Sequence, residues 1–305
     1  MKGITFVFVS VYLLVMSMGE YIIDLDSSVV NITCMSLILL FGIPHGAIDN
    51  ILFLSTRKVS TYGFFFIYIC VVLLNVAIWT VLPEVAFLIF LILSAFHFGE
   101  SQLSQYVKGK TRWEYAIYTV WGFFLLLGFL TFNFQELNQL AVQYSEYELI
   151  SYVVANYDLL VFASCFTGLS LFGFFTYLLA ESIIRLESVI VELMILGLLF
   201  FSFHLFNFLV GFTLYFLVLH SLRVLLQEFQ YLKKRRIVIG LTQFVKKLLP
   251  LSLVSFVGII LIFGAIYFKL LTISYSYVVL VIIATITVPH VYVMSVFYRH
   301  YPKST

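Results

Sequence analysis

Long apolar segments follow one another along almost the whole 305-residue chain, and short polar loops separate them. Each segment is about 20 residues long, and a helix of that length spans the roughly 30 Å hydrocarbon core of a bilayer. The pattern therefore predicts an all-α polytopic membrane bundle with about ten transmembrane helices. The predicted spans are 4–22, 29–53, 61–82, 85–106, 114–134, 157–180, 188–206, 208–227, 249–269 and 272–297.

The charged residues orient these spans. With the N-terminus inside, sixteen of the seventeen Lys and Arg residues fall in inner loops or at inner helix ends, and only Lys269 falls outside. The outer loops carry acidic residues instead. This asymmetry follows the positive-inside rule and predicts that both termini are cytoplasmic. The longest inner insertion, residues 228–248, is interpreted as a cytoplasmic linker, and residues 1–305 as a single transmembrane domain.

The composition excludes a soluble protein. Hydrophobic residues make up 63% of the chain and charged residues 10%, against about 45–50% and about 25% in soluble domains. A net charge of +2, with the basic residues in short loops, argues against a nucleic-acid partner. The three cysteines lie in apolar runs and offer neither a disulfide framework nor a CxxC metal pattern. Phosphate-binding loops, nucleophile elbows and HExxH are absent from the sequence.

Four of the six histidines are predicted to lie at one depth in the membrane. His45, His97, His220 and His290 lie on the second, fourth, eighth and tenth spans, which all run from outside to inside. Each lies nine to thirteen residues before the next inner-loop charge, a depth of about 14–20 Å. Any single one of them could be a neutral imidazole hydrogen-bonded to a neighbouring helix, but four such residues would rarely align. A metal ion held by neutral imidazoles explains the layer better.

The other two histidines fail this test. His204 is predicted at the outer end of an odd-numbered span, where a structural or gating role is expected. His300 lies beyond the last span, next to Arg299 and Tyr301, and is expected at the membrane interface.

Two carboxylates accompany the histidine layer. Asp49 follows His45 by four residues, and Glu100 follows His97 by three, so each is expected to share a helix face with its histidine. Metal-bound histidines commonly donate their second ring N–H to a carboxylate, which predicts this role for both. Direct ligation and simple exposure to a polar cavity are the alternatives. The spacing leaves zinc, copper and iron open.

At these residues the chain resembles the Brp/Blh family of membrane β-carotene 15,15′-dioxygenases. The motifs that carry the resemblance are spread over nearly the whole chain: G-I-P-H-G-A-I-D (42–49), S-A-F-H-F-G-E (94–100), H-S-L-R (220–223) and V-P-H-V (288–291). The resemblance implies that Fe(II) and O2 cleave the central double bond of β-carotene to give two molecules of retinal. It also implies retinal supply to a microbial rhodopsin, and a location in the inner or plasma membrane of a bacterium or archaeon.

One position departs from the family pattern. The family often shows HSxxH, whose second histidine is an expected iron ligand, and Val224 occupies that position here. Either His290 completes the ligand set, as the depth argument favours, or the metal site is weakened or altered. His204 is the reserve candidate, which its predicted depth disfavours. The working hypothesis is that His45, His97, His220 and His290 bind Fe(II), with Asp49 and Glu100 as hydrogen-bond acceptors.

Three other functions are the alternatives to this hypothesis. A proton or metal transporter would place its polar residues along a path across the membrane, rather than in one layer. A di-iron membrane desaturase or hydroxylase would need HxxxH and HxxHH clusters, which the sequence lacks. A non-catalytic carotenoid- or retinal-binding membrane protein is the alternative that Val224 leaves open.

Overall fold

A computed structural model describes residues 2–21, 27–143 and 156–301, and within these ranges every regular element is a helix. The helices are α1 (Lys2–Tyr21), α2 (Ser28–Gly46), α3 (Asp49–Leu54), α4 (Thr61–Val81), α5 (Pro83–Val107), α6 (Glu114–Phe132), α7 (Phe134–Gln143), α8 (Tyr157–Ala180), α9 (Leu186–Leu205), α10 (Phe208–Leu214), a π-helical segment (Tyr215–Leu222), α11 (Arg223–Lys234), α12 (Leu241–Tyr267) and α13 (Tyr275–His300).

Nine helical stretches of the described residues are long and apolar enough to cross a membrane. The predicted all-α membrane bundle is therefore confirmed. The first predicted span corresponds to α1, whose apolar part, Ile4–Gly19, is shorter than the others, and residue 22 lies outside the described ranges. The orientation of the spans stays a prediction.

The predicted cytoplasmic linker at 228–248 is wrong in its secondary structure. Helix α11 continues to Lys234, and α12 begins at Leu241, eight residues before the predicted span. Lys246 and Lys247 end the apolar pattern without ending the helix, because lysine is a good helix former. Charge therefore marks where the apolar segment stops and not where the helix does.

Polar side chains fix the starts of several helices. The side chains of Ser60, Asn207 and Ser274 accept hydrogen bonds from the backbone N–H three residues later, at the starts of α4, α10 and α13. Such N-caps satisfy backbone donors that the helix itself leaves unpaired. Asn207 in this way separates the seventh and eighth predicted spans.

The chain divides into two compact units, each built from two separate parts of the sequence. Unit 1 comprises Met1–Leu39 and Ala95–Arg223, and unit 2 comprises Leu40–Ser94 and Val224–Thr305. His97 and His220 belong to unit 1, whereas His45 and His290 belong to unit 2. The single catalytic domain expected from the sequence stays a prediction.

In unit 1, α5 and α6 approach each other backbone to backbone. A Cβ atom placed on Gly99 would clash with the Tyr118 carbonyl group, and one placed on Gly122 would clash with the carbonyl group of Ala95. Ala95 and Gly99 form a small-xxx-small pair on α5, a pattern that allows close packing of membrane helices. This close approach fixes the helix that carries His97.

In unit 2, an apolar cluster surrounds the C-terminal part of α13. Its buried members include Ile48, Leu52, Met294 and Phe297. Val224, at the position where the family often has a histidine, is fully buried in the same cluster. Nearer the start of α13, the Thr285 hydroxyl donates a hydrogen bond to Asn75 Oδ1 on α4 at 3.2 Å, and both side chains are buried.

Candidate metal centre

Unit 2 brings His45 and His290 together from helices far apart in sequence. Their ring centroids lie 4.7 Å apart with an edge-to-face angle of 76°, and both residues are buried. Pro44 lies inside α2 and Pro289 inside α13, each directly before its histidine. A proline within a helix removes a backbone donor and distorts the turn before it. The two rings therefore project from locally irregular helix segments.

Asp49 accepts a hydrogen bond from His290 rather than from His45. The His290 Nδ1 atom lies 2.9 and 3.1 Å from the two carboxylate oxygens, and the Tyr68 hydroxyl donates to Oδ2 at 3.1 Å. The expectation that Asp49 shares a helix face with His45 is wrong, because α2 ends at Gly46 and α3 begins at Asp49. The turn between them redirects the carboxylate toward α13.

Unit 1 holds the second histidine pair. The ring centroids of His97, on α5, and His220, on the π-helical segment, lie 4.9 Å apart with an edge-to-face angle of 81°. Both histidines are 2% exposed, so water is excluded from their rings. The Phe98 ring packs on His220 at 4.8 Å, and Phe216 lies 5.5 Å from it. The surroundings of this pair are thus largely aromatic.

The hydrogen bonds assign the ring nitrogens of three histidines. The Ser101 hydroxyl donates its one hydrogen to the Phe98 carbonyl at 2.9 Å, so His220 Nδ1–H must donate to Ser101 Oγ at 3.4 Å. His45 Nδ1–H donates to the Phe41 carbonyl at 3.4 Å, and His290 Nδ1–H donates to Asp49. In each ring the lone pair then resides on Nε2.

This donor set fits a metal ion. Metal-binding histidines typically donate one ring N–H to a protein acceptor and bind the metal through the other nitrogen. Each unit therefore offers two buried imidazoles that could bind a metal ion, His97 with His220 in unit 1 and His45 with His290 in unit 2. All-imidazole donors suit iron, copper and zinc equally well, so the structure does not select among these metals.

The other residues considered in the sequence analysis are Glu100, His204 and His300. Glu100 is buried on α5, one turn after His97, as the spacing predicts, and its role as an acceptor stays a prediction. His204 ends α9, is exposed, and packs edge-on to Phe132 at 6.0 Å. His300 is exposed and donates from Nδ1 to the Val296 carbonyl of its own helix at 2.8 Å.

Sequence reasoning missed several polar residues near the histidines. Tyr68 donates to Asp49, which accepts from His290, and Ser101 accepts from His220; nothing in the spacing of Tyr68 and Ser101 indicated this. Gln102 and Glu192 form a buried hydrogen bond at 2.7 Å. Glu192 lies inside a predicted span, so the rule that ionisable residues in the membrane are functional would have singled it out.

A protein-family model described as β-carotene 15,15′-dioxygenase matches residues 36–298, nearly the whole chain. No significant match to a curated protein or to a solved structure is found. The matched range contains all four histidines of the predicted layer.

Proposed function

The chain belongs to the β-carotene 15,15′-dioxygenase family, and on this premise we propose that it cleaves the central double bond of β-carotene with Fe(II) and O2. The enzyme class, the carotene substrate and the retinal product follow from the family. One oxygen atom of O2 enters each half of the polyene, so two molecules of all-trans-retinal form and no further reductant is needed.

The observation that supports a metal site is the presence of two buried histidine pairs, and iron is proposed from the family. His45 with His290, and His97 with His220, each lie edge to face at less than 5 Å. The proposal that all four histidines form one ligand set rests on the single layer predicted from the sequence. Bound Fe(II) would supply the activation of O2 that protein side chains cannot perform.

The chain itself orients the ligands and excludes water. Asp49 accepts the Nδ1–H of His290 and thereby fixes its tautomer, while the Tyr68 hydroxyl holds Asp49. Ser101 does the same for His220. Glu100 is proposed to accept a hydrogen bond at His97. The burial of all four rings keeps water away from the polyene and from the oxygen chemistry.

Expression in bacteria that accumulate β-carotene tests this function. Bleaching of the cells and retinal, measured by chromatography, should appear with the unchanged protein. Each of His45→Ala, His97→Ala, His220→Ala and His290→Ala should abolish retinal formation, while His300→Ala, a matched change of an exposed histidine, should retain it. An active His290→Ala variant would contradict the ligand set. Carotene that binds but is never cleaved would identify the non-catalytic binding protein instead.

The destination of the product is proposed from the family resemblance. Retinal would leave the enzyme within the bilayer, because product and protein share the same lipid phase, and would supply a microbial rhodopsin in a bacterial or archaeal inner or plasma membrane. Co-expression with such an opsin should produce a coloured pigment only when the histidines are intact. A colourless opsin beside an active enzyme would contradict the supply role alone.

A further inference from the structure

A chain of buried polar side chains links three helical segments of unit 1. Arg223, at the start of α11, donates from Nη1 to Gln102 Oε1 on α5, and from Nη2 to the Gln102 backbone carbonyl at 3.0 Å. Gln102 Nε2 then donates to Glu192 Oε2 on α9 at 2.7 Å. The three residues are between 0% and 5% exposed. The Tyr106 hydroxyl, one turn further along α5, also hydrogen-bonds Glu192.

Such a chain is unusual inside an apolar bundle. A buried guanidinium or carboxylate is costly unless it is paired and hydrogen-bonded. Here one positive and one negative charge compensate each other through the amide of Gln102, which accepts from Arg223 and donates to Glu192. Apolar side chains could join the same helices without this cost, so the presence of the polar chain calls for another reason.

The polar chain continues directly into the histidine pair of unit 1. On α5, Phe98 packs on the His220 ring, Ser101 accepts from His220 Nδ1, and the next residue, Gln102, binds Arg223. On the other side, Arg223 is the first residue after the π-helical segment that carries His220. The two segments therefore face each other along one continuous contact, and the hydrogen bonds from Arg223 to Gln102 form the C-terminal end of that contact on both segments.

The π-helical geometry makes this closure important. A π-helical turn holds more residues than an α-helical turn, so it rotates the side chains within it relative to those that follow. π-helical segments are rare and are often found at functional sites. The direction of His220 thus depends on where the π-helical segment ends. Arg223, bidentate to Gln102, fixes that end against α5.

We propose that Arg223, Gln102 and Glu192 are positioning residues, which hold α5 and the π-helical segment in the register at which His97 and His220 bind one metal ion. The inference rests on the proposed function, because it assigns the pair to the iron site. Glu192, on α9, accepts from the amide nitrogen of Gln102, so that the amide oxygen of Gln102 faces Arg223. None of the three residues needs to contact the metal or the substrate.

The test separates positioning from stability. Replacing one residue of the polar chain leaves its partner buried and unpaired. Replacing all three residues by apolar side chains of similar size is often neutral for stability. The decisive variant is therefore the triple change Gln102→Met, Glu192→Leu and Arg223→Met. Thr131→Val is the matched control, because it removes another hydrogen bond between helices of unit 1, the 2.9 Å contact with Ser164.

The readout is metal binding by the purified protein, with Co(II) as the probe. Co(II) affinity is obtained by titration, and the visible absorption bands report the arrangement of the ligands. The triple variant should keep a thermal midpoint close to that of the unchanged protein, but bind Co(II) about 10–100-fold more weakly, with shifted bands. Arg223→Lys keeps the charge and loses the planar fork, so its Co(II) affinity should lie between that of the triple variant and that of the unchanged protein. Thr131→Val should leave affinity and bands unchanged.

Two results overturn the proposal. A folded triple variant with unchanged Co(II) affinity and bands would show that the polar chain serves stability alone. If the triple variant does not fold, Arg223→Lys decides by the same measurements, because it keeps the buried positive charge and removes the planar fork that binds Gln102; unchanged affinity and bands in that variant would also overturn the proposal. If the unchanged protein binds neither Co(II) nor Fe(II), the proposed function itself fails, which a failure of positioning would not cause.

Discussion

Replacing Gly99 by alanine should force α5 and α6 apart. The new Cβ atom would lie 2.5 Å from the Tyr118 carbonyl carbon and 2.8 Å from its Cα atom. Non-bonded carbon atoms prefer about 3.5–4.0 Å, so the helices must separate locally by about 1 Å. The obstacle is backbone, and no side-chain rotation can relieve it. Overpacking of this kind costs about 1–3 kcal/mol, and a backbone obstacle places Gly99→Ala near the upper end, at about 3 kcal/mol.

Gly197→Ala is the matched control for this substitution. Gly197 lies on α9 in the same unit, and no described atom lies within 4 Å of its Cβ position. Alanine favours a helix over glycine by about 1 kcal/mol, so the control should be neutral or stabilising. Thermal unfolding of the purified proteins in one detergent compares the two. At about 2–4 °C per kcal/mol, Gly99→Ala should lower the midpoint by about 6–12 °C.

The reciprocal contact sharpens the test. A Cβ atom on Gly122 would lie 2.6 Å from the Ala95 Cα atom, so Gly122→Ala should be destabilising for the same reason. One separation of the two helices relieves both clashes, and the double variant should therefore lose less stability than the two single variants together. A Gly99→Ala protein as stable as Gly197→Ala would refute the reasoning. If the stability loss of the double variant equalled the sum of the two single losses, the idea that both glycines serve one shared helix contact would be refuted.

Three further predictions concern the metal centre and its support. Asp49→Asn should weaken Fe(II) binding about 10-fold or more, because the amide accepts the His290 N–H less strongly than a carboxylate; equal affinity in a chelator competition would contradict the assigned contact. Removing the metal with a chelator should abolish retinal formation in membranes, and Fe(II) should restore it where Zn(II) does not; recovery with Zn(II) would argue against iron. In unit 2, a double-mutant cycle of Asn75→Leu and Thr285→Val should give a coupling energy of about 0.6–1.7 kcal/mol by thermal unfolding, and zero coupling would show that their hydrogen bond contributes nothing.

The membrane helices could be predicted, and the four histidines could be assigned to one depth, because both inferences depend on local and additive properties. An apolar run of about 20 residues has few alternatives to a membrane helix. The depth of a histidine follows from counting residues along a helix. His45 and His290, almost 250 residues apart, could be assigned to one depth by that count, and their rings are in contact.

The finer parts of the site could not be predicted, because they depend on irregular backbone. The spacing rule for Asp49 assumes one uninterrupted helix, and the turn after Gly46 breaks it. The π-helical segment around His220 has no marker in the sequence. The hydrogen bond from Arg223 to Gln102 joins residues 121 positions apart, and no local pattern reports such a contact.

The interleaving of the two units in the sequence also sets an order of assembly during synthesis. Unit 1 has all its residues once Arg223 has emerged, so His97 and His220 can pair while the ribosome is still translating. His45 is synthesised before His97 and His220, but it can pair with His290 only later, because His290 lies on α13, the last described helix. The proposed four-histidine ligand set is therefore complete only after α13 has entered the membrane. A metal ion bound by all four histidines, as proposed, could therefore enter only after α13 has been synthesised, whereas the pair in unit 1 is complete earlier.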